Sequence, residues 1–241
     1  MISILIPYFG NRSDLLERTL YLLDNQTTKN WFDVWLLNDG GEYRVPSFLS
    51  FAKFTINIYN MPSHGNEWRT PNHAIKVGYE MCSGDYVIVT SPEIIPPTNA
   101  LQVMMELSDN EVMSIPMLYK LSRKQQSKID TVDWKHSLDT LQYLENFWGE
   151  EIHPGGFPNY EAKYNYHHGG FVGAYRKVWD EIGFSPPNLD GPEQDSYWHV
   201  RCGELGKTSI RLPFAIYHQW HPRKNEPKRS VRMERIYKSL V

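Results

Sequence analysis

Four short apolar runs restrict what this chain can become more than any other feature. "SILI" (Ser3–Ile6), "FDVWLL", "FTINIYN" and "YVIVT" are rich in Val, Ile, Leu and aromatic residues and have the length of buried strands. Helix-type sequence separates them. "SDLLERTLYLLDNQ" sets Leu15, Leu16, Leu20 and Leu23 on one helical face. Thr70-Pro71 reads as an N-cap with proline at the first helical position, opening "NHAIKVGYEMC". Strand and helix in alternation predict a parallel sheet with helices packed on its faces. Ligands of such sheets bind beyond the carboxyl ends of the strands. The strand ends here are Pro7–Arg12, Asn38–Gly41 and Ser91–Glu93, and all three are expected on one edge.

The second half is less regular. A helix is expected around Asn99–Leu107 and a strand near Val112–Tyr119, followed by a polar, aromatic segment to about Asn165. "HHGGFVGAYRKVWDEIG" reads as strand then helix. "GPEQDSYWHVRCGELG" reads as a helix with acids at its start and glycine after its end. "SIRLPFAIYHQWHP" is a last strand running into two histidines. The stretch from about Leu121 to Tyr166 matches no pattern. Its Trp134, Tyr143, Trp148, Tyr160, Tyr164 and Tyr166 suit either sugar stacking or core packing. With no repeat, low-complexity tract or clear linker, one continuous domain over 1–241 is expected.

Composition removes several classes. A net charge of −3 carries no global nucleic-acid signature. No run approaches the ~18 apolar residues of a membrane helix, and no signal-like start is visible. Cys82 and Cys202 are too few for a disulfide framework and too far apart for a zinc motif, so a reducing, cytoplasmic setting is the expectation. The tail "RKNEPKRSVRMERIYKSLV" carries seven Lys/Arg against two Glu. It reads as a solvated terminal helix or as a basic flap for phosphates or an anionic membrane surface.

Candidate chemistry sits at the strand and helix ends. Asp39, in "LLNDGG", suits a turn, or a carboxylate accepting hydrogen bonds from a bound base. Glu93 follows a proline that ends its strand, and no ion-pair partner is evident nearby in sequence. A carboxylate so placed suits a divalent cation, which prefers oxygen ligands. Glu193 and Asp195 flank Gln194 at a helix start, where acids complement the helix dipole or serve as a general base. His218 and His221 stand at i and i+3 beyond the last strand and offer imidazole to a metal. No Ser-His-Asp pattern, GxxxxGK loop or GxGxxG is present.

In this order the pieces resemble a family 2-like, nucleotide-sugar glycosyltransferase of the GT-A fold. "SILIPYFGNR" is similar to the opening strand and loop of that family, and "VWLLNDGG" to its second strand and acidic turn. "HAIKVGYEMCSGDYVIVTSPE" resembles its helix, Gly-Asp-Tyr and the strand into Asp-x-Asp. "GGFVGAYRKVWDEIGF" and "GPEQDSYWHVRCGELG" resemble the acceptor-side strand and helix and the Glu-Asp base segment. The resemblance spans roughly residues 2–221 and implies an α/β, Rossmann-like GT-A domain with a mostly parallel central sheet flanked by helices. Residues 1–97 would form the nucleotide-sugar half, 98–221 the acceptor half and 222–241 the basic tail.

By position, the resemblance implies that Pro7 and Tyr8 line the base pocket and that Asp39 binds the base. Arg69 or Asn72 would lie near ribose and diphosphate. Ser91 and Glu93 fall on the two acids of Asp-x-Asp, and Glu93 would hold Mn2+ or Mg2+ with His218. Asp195 would be the catalytic base, with Glu193 as its neighbouring substitute. Two departures stand out: Ser91-Pro92 replaces the first acid and the middle residue, and Gln194 replaces the Glu before the base.

The implied activity is transfer, in inverting fashion, from a nucleoside-diphosphate sugar, UDP-sugar favoured. The acceptor hydroxyl would be on a saccharide, lipid-linked or protein-linked molecule, and membrane contact would run through the tail. Retaining transfer and a catalytically silent nucleotide-sugar binder are the alternatives. A nucleotidyltransferase is weaker, since "PYFGNRSD" offers only Gly10 and Arg12 where a glycine-rich phosphate loop would stand.

Overall fold

The structure, a computed structural model, describes residues 1–10, 12–40, 43, 46–62, 71–109, 112–131, 153–154, 170–184 and 191–220. The apolar runs are strands: β1 (Ile2–Tyr8), β2 (Phe32–Asn38), β3 (Thr55–Asn60) and β4 (Tyr86–Thr90). Between them lie α1 (Ser13–Asp24) and α2 (Pro71–Met81), with a 3-10 turn at Ser47–Phe51. Then follow β5 (Ile94–Ile95), α3 (Ala100–Leu107), β6 (Val112–Lys120), α4 (Arg123–Asp130), β7 (His153–Pro154) and β8 (Phe171–Tyr175). The described chain closes with α5 (Arg176–Ile182), α6 (Gly191–Glu204) and β9 (Thr208–His218).

One sheet runs β3-β2-β1-β4-β8-β6-β9-β5, with β7 added on β6. The first four strands are parallel, β8 is antiparallel to β4 and β6, and β6 and β9 are again parallel. The β4–β8 ladder therefore joins strands from the two halves of the sequence in one sheet. Both faces are covered, which explains the near-continuous apolar runs. Ile2, Ile4, Ile6 and Ile88 pack with Leu16, Leu20 and Leu23 of α1 on one face. Leu5, Leu37, Val87 and Val89 pack with Ala74, Ile75 and Tyr79 of α2 on the other, together with Trp179 and Trp198.

Local chemistry explains where elements stop. Gly206, at φ +63, follows α6, with Gly206 N–H donating to Gly203 O and Lys207 N–H to Cys202 O. This is the Schellman closure that an L-residue at that φ would strain. The helix α4, unread in the sequence, opens with a capping box: Ser122 Oγ accepts from Gln125 N–H, and Gln125 Oε1 accepts from Ser122 N–H. Among the described residues no helix is long and apolar enough to cross a membrane.

Candidate functional site

Parallel register brings the strand ends to one edge, as expected. Tyr8 pairs with Asn38, and Asn38 with Asn60. Asp39 is buried just beyond, its N–H donating to Tyr8 O at 2.8 Å. Gly40 follows at φ +84, a conformation that makes glycine the fitting residue after Asp39. Tyr8 is buried and its hydroxyl accepts from Arg12 N–H at 3.0 Å, while Pro7 is half-buried. Asn72 is buried in the first turn of α2.

The segment "TSPE" forms a tight turn off β4. Ile94 N–H donates to Ser91 O at 3.3 Å, which puts Pro92 and Glu93 at the turn's central positions. Proline suits the first of these because its ring presets φ. Ser91 is half-buried and its N–H donates to Gly170 O, so β4 is stopped by a turn rather than by lack of a neighbour. The next residues, Ile94–Ile95, pair antiparallel with Tyr217 and His218 of β9. That ladder carries a late-sequence histidine onto the acidic turn.

Glu93 is 5% exposed, and the partner that local sequence did not reveal is Arg12. Arg12 Nη1 lies 3.2 Å from Oε1 and 3.3 Å from Oε2 of Glu93, across 81 residues of chain. His218 Nε2 lies 3.3 Å from the same Oε1. Its Nδ1 is 2.8 Å from Gln219 O, which favours the proton on Nδ1 and turns Nε2 toward Glu93.

A second layer holds this arrangement. Thr19 of α1 points its hydroxyl at the carbonyls of Pro92 and Ile94, each at 2.8 Å, on either side of Glu93. Gln219 N–H donates to Glu93 O at 2.9 Å. The Gln219 side chain donates to Leu15 O and accepts from the buried Arg18 guanidinium, which also meets Asp130 at 3.0 Å. Burial pulls the Arg18 pKa below its ordinary value, and the Asp130 carboxylate opposes that pull. Gln126 of α4 accepts from Trp220 N–H and donates to Asp130, while Arg123 lies over the Trp220 ring at 5.6 Å. Thus α1 and α4 together clamp the chain just after His218, at Gln219 and Trp220.

Two donors of one octahedral ion at right angles, each about 2.1 Å from it, stand about 3.0 Å apart. The 3.3 Å between Glu93 Oε1 and His218 Nε2 fits such a pair. A carbonyl orienting the far nitrogen is also the support a metal-bound imidazole receives. Among the described residues no group of three or more His, Cys, Asp and Glu converges, so from these residue types the described site offers the pair Glu93 and His218. Glu193 and Asp195 fall near the start of α6, but their side chains lie outside the described residues, as do Arg69, His221 and the basic tail.

No family profile matches the chain, and no curated protein is similar to it in sequence. Solved structures do match. The mannosyltransferase PcManGT of Pyrobaculum calidifontis, in complex with GDP-Man and Mn2+, aligns over 92% of this chain at TM-score 0.56 and 13% identity. The fold is that of the GT-A glycosyltransferases. GalNAc-T7 with UDP, GalNAc and Mn2+ aligns over 94% of the chain at TM-score 0.55 and 10% identity. S. aureus TarS 1–349 in complex with UDP-GlcNAc aligns over 93% at TM-score 0.52 and 11% identity. The chain spans 57%, 45% and 59% of those three proteins, respectively. In this fold the Tyr8, Asp39, Ser91–Glu93 and His218 positions share one edge of the sheet, and Thr19, Arg18, Gln219 and the pairing of Arg12 with Glu93 are additions the sequence reading lacked. The spacing of Ser122-x-x-Gln125 was the one local signal for α4; nothing local pointed to Thr19 or to Glu93 as the partner of Arg12.

Proposed function

We propose that this chain transfers a sugar from a nucleoside-diphosphate sugar to a hydroxyl acceptor. The observation that carries the reading is the joining of Glu93 and His218 beside Asp39 and Tyr8 at the ligand edge of a GT-A sheet. Residues 1–97 are assigned to the donor and 98–221 to the acceptor, and the sheet their strands share supports treating them as one domain.

In this reading Asp39 accepts a hydrogen bond from an N–H of the base, with Pro7 and Tyr8 shaping its pocket. A uracil base and so a UDP-sugar is favoured, in line with the UDP and UDP-GlcNAc complexes of two of the similar structures. Asn72, Arg69 and the Ser91 hydroxyl are placed toward ribose and diphosphate. Glu93 and His218 would hold Mn2+ or Mg2+. Such an ion, when bound, neutralises charge developing on the leaving diphosphate. Asp195, with Glu193 beside it, takes the proton of the acceptor hydroxyl as that oxygen attacks the anomeric carbon from the face opposite the diphosphate. Transfer is then inverting.

Two measurements test this. A thermal-shift screen of nucleoside diphosphates and their sugars with Mn2+ should show stabilisation of about 2.7 kcal/mol at ~100-fold excess over Kd. Asp195→Asn should lower turnover by about 10²–10⁴-fold while leaving the donor-induced shift intact. Full activity in that variant excludes Asp195 as the base. Binding without turnover, even with Mn2+, would instead make the chain a nucleotide-sugar binder, and a product of retained anomeric configuration would exclude inversion.

A further inference from the structure

We infer that Arg12 is a built-in counter-cation for the metal position, one that must leave Glu93 before a divalent ion can bind. The inference rests on the reading of Glu93 and His218 as metal ligands. One guanidinium nitrogen straddles the carboxylate, 3.2 Å from Oε1 and 3.3 Å from Oε2, on the oxygens an ion would use. His218 Nε2 faces the same Oε1, so the imidazole, the carboxylate and the guanidinium converge on one point.

Arg12 is anchored for this position rather than draped there. Its N–H donates to the buried Tyr8 hydroxyl and its carbonyl accepts from Leu16 N–H at 2.9 Å, at the entry to α1. The guanidinium is partly exposed, with 34% of its side-chain surface accessible, against 7% for Glu93. It therefore has somewhere to go, whereas the carboxylate does not.

Charge counting explains why such a device suits this chain. Ser91 supplies no charge at the position where the family 2-like resemblance implies an acid, so Glu93 is the carboxylate of the turn. Arg12 balances it in the ligand-free chain. A divalent ion arriving alone would meet a carboxylate already matched by a cation, and the displaced guanidinium would stay beside it as a like charge. An ion arriving with a diphosphate brings anionic oxygens that the released guanidinium can meet. Arg12 thus weakens binding of the bare ion and ties ion binding to the presence of the diphosphate, and linkage requires the same coupling in reverse.

The test is Mn2+ binding, read from the electron paramagnetic resonance signal of free Mn2+, on the full chain with and without UDP. Wild type, Arg12→Gln, Arg12→Lys and Glu93→Gln are compared, each after its melting curve shows a folded protein. Without UDP, Arg12→Gln is expected to bind Mn2+ on the order of tenfold more tightly than wild type, a change of ~1.4 kcal/mol. Arg12→Lys, which keeps the charge, should stay within about twofold of wild type. The enhancement of Mn2+ binding by UDP should shrink in Arg12→Gln. If Glu93→Gln abolishes Mn2+ binding but Arg12→Gln binds no more tightly than wild type, the role of Arg12 is refuted and the metal site survives. Equal tightening by Lys and Gln refutes it as well, because charge is then not the cause. If Glu93→Gln binds Mn2+ as wild type does, or no form binds it even with UDP, the metal reading falls and this inference with it.

Discussion

Replacing Thr19 by valine tests whether α1 holds the acidic turn in place. Thr19 is 1% exposed, and its Oγ lies 2.8 Å from the carbonyls of Pro92 and Ile94 and 3.2 Å from Leu15 O. One hydroxyl proton serves these acceptors in turn. Valine keeps the shape but brings a methyl group to two buried carbonyls. The net worth of the lost hydrogen bond is about 1 kcal/mol, and a buried carbonyl left without a donor adds about 1–3 kcal/mol. A total near 2–3 kcal/mol follows, which for a chain of this size lowers Tm by about 5–10 °C. Thr19→Ser keeps the hydroxyl and gives up one methyl, for about 1 kcal/mol. Urea unfolding of the three proteins measures the difference, with unchanged slopes showing that only stability moved. The same turn carries Glu93, so Mn2+ affinity should fall in the valine variant and hold in the serine one. A valine variant within ~0.5 kcal/mol of wild type, or a serine variant as unstable as valine, would refute the tether.

Two further outcomes follow from the core. At Gly84 an added Cβ would stand 2.5 Å from Ser3 Oγ and 2.6 Å from Ser3 N, so backbone must shift; Gly84→Ala should lose about 1–3 kcal/mol in thermal or urea melts, and a neutral result would show β1 and the β4 approach to be looser than their contact. Burial pushes the Cys202 thiol up to about 11, so at pH 8 roughly one molecule in a thousand carries the thiolate. Its labelling by a disulfide reagent should be slow in the folded protein and rise with pH toward 11, and rapid labelling at pH 8 would contradict the burial.

The regular part of the molecule was legible because it obeys local rules. Strands β1, β2 and β4 are largely buried, so their apolar runs are nearly continuous and visible, while β3, at the sheet edge, is half-buried and shows its isoleucines in alternation with polar residues. The helix starts at Pro71, and the glycine closing α6, follow from φ preferences of single residues. The elements that escaped reading are short or polar. Ile94–Ile95 is two residues long, too short for any periodic signal. Residues Arg123–Asp130 are mostly polar, and their helix is held by a capping box, by Gln126 and Arg123 reaching Trp220 just past β9, and by Asp130 meeting Arg18 of α1.

The candidate site divides the same way. The sequence by itself determined that Asp39, Ser91 and Glu93 end parallel strands, since strand direction and strand ends are encoded locally, and so placed them on one edge. It also determined the Ser91-Pro92 departure and, with it, a turn carrying one carboxylate. What cancels that carboxylate, and how the His218 that the resemblance implied is brought to it, was decided only by tertiary structure. Arg12 reaches Glu93 from 81 residues away because α1 packs over β5. His218 arrives because a two-residue ladder joins β5 to β9. Thr19, at the carbonyls of Pro92 and Ile94, and Gln219, at the carbonyl of Glu93, secure the turn that Arg12 and His218 both meet. Contacts between residues so distant along the chain leave no local pattern, because each depends on packing that the whole sheet must first bring about.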